Sequence, residues 1–264
     1  MAIVETDRRP DGIAVLTLND PERRNAMTVA MGEALEAALR GLAADDDLRV
    51  AVLTGAPPAF SGGGDLAMLE SHGRRAREEG FDATAEMTAF YRRFLALTDL
   101  PVPVIAAVNG HAIGAGLCVA LACDLAVVAD EAKVGLNFAK LALHPGMGAT
   151  WFLPRRVGLQ RGAELLYTGR IVSGADAAGY GLALESLPAD QVLPRALAIA
   201  ADIAASSPVV VRQLKQTLAA SPTAGLLEQL GREAAAQAID YATADLVEGL
   251  AAARERRPPR FTGS

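Results

Sequence analysis

Four short runs of apolar and β-branched residues punctuate the first half of the chain: Ile13–Leu18, Val50–Thr54, Val104–Val108 and Leu125–Val128. Each is bounded by turn-forming residues, the pattern of a buried strand. Helix-like stretches lie between them. The clearest is Thr28–Leu42, where Thr28 stands at the N-cap position. Strands alternating with helices require crossover connections, so the pattern predicts an α/β protein with a mostly parallel sheet. Composition and periodicity leave open whether that sheet is doubly wound or forms a spiral of repeated turns. Ser71–Phe81 is polar and glycine-flanked, and reads as a mobile loop or a basic helix edge. After Leu187 the chain becomes almost wholly helical, with candidate helices at Asp190–Ser206, Pro208–Ala219, Thr223–Ala242 and Asp245–Arg256. Their apolar faces are numerous for a peripheral appendage.

A length of 264 residues suits one compact domain with a C-terminal extension, or at most two small domains. A chain 51% hydrophobic and 21% charged is globular, which excludes disorder as its general state. The net charge of −6 argues against a nucleic-acid partner. Cys118 and Cys123 sit five apart in one helix-like run, where they close no disulfide and show no metal spacing. A reducing, cytoplasmic setting and no metal are therefore expected. Met1–Asp11 lacks the apolar segment of a signal peptide. Asn109, His111 and Asp124 interrupt the apolar stretch Val102–Ala129, which reads as buried core and not as a membrane span.

Two turns carry the candidate chemistry. Ala59-Phe60-Ser61-Gly62-Gly63-Gly64-Asp65-Leu66 follows the second strand run, and Asn109-Gly110-His111-Ala112-Ile113-Gly114-Ala115-Gly116 follows the third. Each leads into a helix-like segment. Small residues let backbone approach a ligand closely, and helix N-termini present unpaired N–H groups. Two such groups converging on one oxygen would make an oxyanion hole, suited to acyl-transfer and enolate chemistry. Asp65 is placed to cap the helix that follows the first turn.

Together the two turns resemble those of the crotonase (enoyl-CoA hydratase/isomerase) superfamily. Asn19–Met27 looks like the family's N-terminal coenzyme A contact turn, and Pro103–Asp124 like its strand–turn–helix segment. Pro145-Gly146-Met147-Gly148 is similar to its glycine-proline loop, and Gly169–Gly181 and Glu255–Phe261 also resemble family stretches. The resemblance covers nearly the whole chain. It implies a spiral of ββα units over residues 1–200 and a helical trimerisation region over 201–264. It further implies a homotrimer or dimer of trimers, and an acyl-CoA or enoyl-CoA substrate with no cofactor beyond the coenzyme A of the substrate itself. Gly64 and Ala115 match the residues whose N–H groups form the family's oxyanion hole. Arg23, Arg24 and Ala26 fall in the coenzyme A turn, while Gly62, Asp65, Leu66, Gly114 and Phe138 fall beside the acyl site.

The resemblance also exposes departures. Family hydratases place two glutamates at positions that here hold Cys118 and Phe138, and some other members carry an aspartate where this chain has Gly146. Cys118 reads as a packed thiol, and Phe138 as a wall of the acyl pocket. His144 is the remaining nearby titratable candidate for proton transfer; its alternative is a partly exposed loop histidine. His111 reads as structural, and Glu70 and Glu86 are not placed by sequence. The expected activity is that of a lyase or isomerase on a thioester enolate. A non-catalytic acyl-CoA binder with the same fold stands beside it. A dinucleotide enzyme is a third reading, but Gly114-Ala115-Gly116 lacks the further glycine of that motif.

Overall fold

The computed structural model describes residues 2–264. Met1, the first residue of the Met1–Asp11 stretch read above for a signal peptide, lies outside the described residues. Val4–Arg8 (β1) and Ile13–Leu18 (β2) form an antiparallel hairpin. From β2 onward the main sheet is parallel, running through Val50–Gly55 (β3), Val104–Val108 (β5), Leu125–Ala129 (β7) and Glu185–Leu187 (β10). Every residue of β3 and β5 is buried. Both faces of the sheet are covered, which is why these strands read as continuous apolar runs without alternation.

The spiral arises because β3, β5 and β7 each hand the chain on to a strand of a second sheet. Ala59–Ser61 (β4), His111–Ile113 (β6) and Lys133–Gly135 (β8) build this smaller parallel ladder, closed by antiparallel Val172–Ser173 (β9). β3 therefore passes to β4 and then to helix α2 (Leu66–Glu79), and β5 passes to β6 and α4 (Ala115–Ala122). β7 passes to β8 and a 3-10 turn at Asn137–Leu141. These repeats are the ββα units of the expected fold. Asn109, just past β5, clamps the matching end of β3: its Nδ2 donates to Gly55 O at 2.7 Å.

Helices cover the layers. In α1 (Val29–Ala43), Met31, Leu35, Leu39 and Leu42 recur at helical spacing and are all buried. Thr28 caps α1 by accepting from Met31 N at 3.1 Å. The basic stretch 71–81 is helical and not a mobile loop. It lies largely within α2, because Gly80 supplies the left-handed C-cap and Arg75 stacks 3.5 Å over the Phe81 ring. Thr84–Leu95 (α3) returns over the spiral. Ala149–Val157 (α5), Leu159–Thr168 (α6) and Gly174–Gly179 (α7) complete its flank.

Position 200 falls inside Ala189–Ala204 (α8), whose Val192, Ala196 and Ala200 are fully buried against the main sheet. The first break after it is at Ala205–Ser207, before Pro208–Ala220 (α9). Lys215 fastens α9 to the spiral, its Nζ 2.8 Å from Val102 O and 3.0 Å from Asp124 Oδ2. Leu226–Asp240 (α10) starts later than the sequence pattern suggests, after a 3-10 turn at Ser221–Thr223. Ala244–Glu255 (α11) ends the helical region. Buried Asp245 ties the C-terminal tail down, accepting from Thr262 N at 2.8 Å and Ser207 Oγ at 2.8 Å. Leu218, Leu226, Leu227, Tyr241 and Val247 leave an apolar surface exposed across α9–α11. No single helix among the described residues is long and apolar enough to cross a membrane.

Candidate active site

The site is assembled around one asparagine. Asn25 is fully buried, with φ 54°. Its side chain accepts from Asp20 N at 2.8 Å and donates to Ala56 O and Ala59 O at 2.8 and 2.7 Å. Its carbonyl accepts from Ser61 Oγ at 2.8 Å. Gly62 N donates to Arg24 O at 2.7 Å, and Met27 N to Gly63 O at 2.8 Å. These bonds join the Arg23–Met27 turn to the first glycine turn, so each fixes the other.

The two glycine turns then pack against each other. Gly63 has φ +100°, and a β-carbon there would stand 2.6 Å from Ile113 O and 3.8 Å from Ala115 N. Only glycine meets both the backbone conformation and the approach. Asp65 caps α2 by accepting from Ala67 N at 2.8 Å. Ala115 opens α4, a helix buried at every position. Among the described residues, neither Gly64 N nor Ala115 N donates a hydrogen bond to the protein. Ala115 is the first residue of α4, where the backbone dipoles favour negative charge, and Gly64 directly precedes Asp65, the N-cap of α2.

These turns open onto a cavity of about 740 Å³. Gly62, Gly64, Asp65, Leu66, Gly114 and Ala115 line it on the turn side. Arg23, Arg24 and Ala26 of the N-terminal turn line it as well, with His144 and with Phe138, whose ring would stand 3.7 Å from a β-carbon on Gly114. The structure therefore gathers the two glycine turns, the arginine turn, Phe138 and His144 around one space. Arg23 and Arg24 are exposed there. His144 is exposed as well, with Nδ1 2.8 Å from Pro145 O.

The remaining candidates lie elsewhere or are inert. Cys118 is fully buried, its Sγ 3.6 Å from Gly146 O, and burial pushes its thiol up to about 12. It stays a thiol at neutral pH, as the packed reading expects. His111 accepts from Lys133 N at 3.0 Å, a structural role. Glu86 pairs with His72 at 3.0 Å and Arg75 at 3.4 Å on the α2–α3 surface, and Glu70 is exposed on α2.

Sequence reasoning missed the far wall. Met87, Phe90 and Tyr91 of α3 line the cavity with Met68 and Met147. The available signal was the apolar spacing of Met87, Phe90, Tyr91 and Phe94, in which one member carries a hydroxyl. Burial raises the Tyr91 phenol above its ordinary value, and Cys118 adds to the effect.

A ββα spiral whose two glycine turns open onto one largely apolar cavity defines the class of α/β protein to which this chain belongs. The enoyl-CoA hydratase/isomerase family model matches residues 8–264, and the chain belongs to that family, within the crotonase superfamily. It is similar to the crystal structure of a probable enoyl-CoA hydratase/isomerase from Mycobacterium abscessus, with 38% identity, TM-score 0.86, and 99% of each chain covered. An enoyl-CoA hydratase structure from Bacillus anthracis matches at TM-score 0.89 and 32% identity, over 99% of this chain and 100% of the other. Mouse mitochondrial methylglutaconyl-CoA hydratase is 34% identical over 257 residues, covering 96% of this chain and 80% of that protein.

Proposed function

We propose that this protein acts on an acyl-CoA or enoyl-CoA thioester as a lyase or isomerase. The backbone N–H groups of Gly64 and Ala115 would hold the thioester oxygen while it carries enolate charge. The observation that carries the reading is the meeting of the two turns: Gly64 and Ala115, whose N–H groups are unpaired among the described residues, line one cavity. Donors held in place by a folded backbone stabilise a developing oxyanion without reorganising, which is the source of their effect. Arg23 and Arg24 at the rim suit coenzyme A phosphates, and the apolar wall of Met87, Phe90 and Phe138 suits an acyl chain.

The exposed leucines of α9–α11 support assembly through the helical region, as a trimer or a pair of trimers. Both cysteines are free and buried, which fits a reducing cytoplasmic setting.

A non-catalytic acyl-CoA carrier is the second reading, favoured by Cys118 and Phe138 at the positions where family hydratases carry glutamates. Purified protein with crotonyl-CoA and longer enoyl-CoAs, followed at the enone absorbance, separates the two. Turnover supports the enzyme. Calorimetric binding without turnover supports the carrier, and failure to bind any coenzyme A thioester overturns both.

A further inference from the structure

The cavity contains a hydroxyl that the oxyanion hole, the arginine rim and the apolar wall leave without a task. Tyr91 reaches from α3 across to Gly146, where a β-carbon on residue 146 would stand 2.5 Å from Tyr91 Cζ. Tyr91 lines the cavity; burial and Cys118 raise its titration, and among the described residues no hydrogen bond to its hydroxyl contributes. The phenol oxygen is thus free toward the cavity.

Its position relative to the N–H pair follows from α4. Cys118 touches Gly146 O through its thiol and lies three residues after Ala115. Residues so spaced share a helix face, with β-carbons roughly 5–6 Å apart. Tyr91 therefore lies beside the Gly146 backbone that meets the Cys118 face of α4, the helix that Ala115 opens. In a thioester, Cα and Cβ lie two and three bonds from the carbonyl oxygen. Gly64, Ala115 and Tyr91 line the same cavity, so a thioester whose oxygen sat on the two N–H groups would share that space with the phenol.

The other ionisable groups of the cavity are occupied or peripheral. Asp65 caps α2, the two arginines are exposed, and His144 is exposed beside Pro145 O. Positions 118, 138 and 146 offer no carboxylate.

We propose that Tyr91 is the catalytic acid of this cavity, delivering a proton to Cα of an enoyl thioester as water adds to Cβ. The assignment rests on the enzyme reading of the proposed function. The water oxygen bonds to Cβ, and the alkene electron pair shifts through the enolate held by Gly64 and Ala115. The phenol proton forms the Cα–H bond. The water proton passes to the phenolate, which returns Tyr91 to its starting state. The sum is addition of one water, with no oxidant or reductant. The phenol carries its proton at neutral pH, the form that donates, and burial moves its titration further in the same direction.

Tyr91→Phe keeps the ring and removes the hydroxyl. With crotonyl-CoA, its kcat is expected to fall at least ~100-fold, the usual worth of a positioned proton donor. Its calorimetric Kd for butyryl-CoA is expected to stay within about twofold of the parent, since the phenol makes its decisive contact in the transition state. A Tyr91→Phe protein that turns over at the parent rate overturns the assignment, most directly if His144→Ala loses the activity instead. A parent that binds butyryl-CoA but hydrates no enoyl-CoA overturns it too and leaves thioester binding standing. A parent that binds no thioester overturns the proposed function itself.

Discussion

Tyr91 and Gly146 share one space: a β-carbon on residue 146 would collide with the phenol that crosses from α3. The absence of a side chain at 146 is what admits a hydroxyl to the inner cavity. Gly146 is not among the residues with positive φ, so alanine there meets no backbone penalty and acts only by displacing the ring. Gly146→Ala is expected to lower crotonyl-CoA turnover by about 100-fold, the scale of a ~1 Å misplacement at a reacting centre. Its stability cost should be about 1–3 kcal/mol of overpacking. Steady-state kinetics beside urea unfolding measures the two separately.

Gly63→Ala attacks the contact between the turns. With φ +100° and Ile113 O at 2.6 Å from the new β-carbon, the substitution strains the backbone and pushes β6 from the first turn. We expect a loss of about 1–3 kcal/mol in urea unfolding. Turnover at saturating crotonyl-CoA should also fall, because both N–H donors move.

Arg23→Ala and Arg24→Ala test the rim. Each is expected to weaken acyl-CoA binding roughly tenfold at low salt, the worth of a charge-assisted hydrogen bond. The difference should shrink as salt screens the exposed arginines. Calorimetry with acyl-CoA and with its 3′-dephospho form shows which phosphate is read: an arginine that serves the 3′-phosphate loses its effect on the dephospho ligand.

Asp245 makes stability depend on pH. Burial opposes its charge, but hydrogen bonds from Thr262 N, Ser207 Oγ and Gly263 N prevail and hold the carboxyl below its usual range. A folded-state pKa below the unfolded one gives stability that is present above the unfolded value, ~3.9, and is lost as pH falls through the folded value. Asp245→Ala should cost about 1–3 kcal/mol at pH 7, with the gap to the parent closing below pH ~4. Urea melts across that range provide the check.

The two thiols should be silent in the folded protein. Burial pushes Cys118 and Cys123 up to about 12, so neither is a thiolate at pH 8. Ellman's reagent is expected to label both only when urea unfolds the chain. Rapid labelling of native protein would show that the wall between α4 and the Gly146 loop opens.

The sequence alone determined the elements and the backbone of the site. Strands buried on both faces announce themselves as unbroken apolar runs, and Thr28 and Asp65 cap helices by chemistry confined to three residues. Glycine turns are local as well, so Gly62–Gly64 and Gly114 were legible as sites of close approach. The 71–81 stretch was readable only as far as its charge, because the stacking of Arg75 on Phe81 and the Gly80 cap decide between loop and helix. The end of the core was equally hidden. Residue 200 looks like any helical alanine until α8 lies against the sheet. Tertiary structure also decided what faces the cavity. Tyr91 and Gly146 are far apart in the chain, and while Gly146 stood out within its loop, nothing local tied it to Tyr91. A phenol acquires its surroundings from whatever α3 packs against, and a glycine acquires its meaning from the side chain that fills the space beside it.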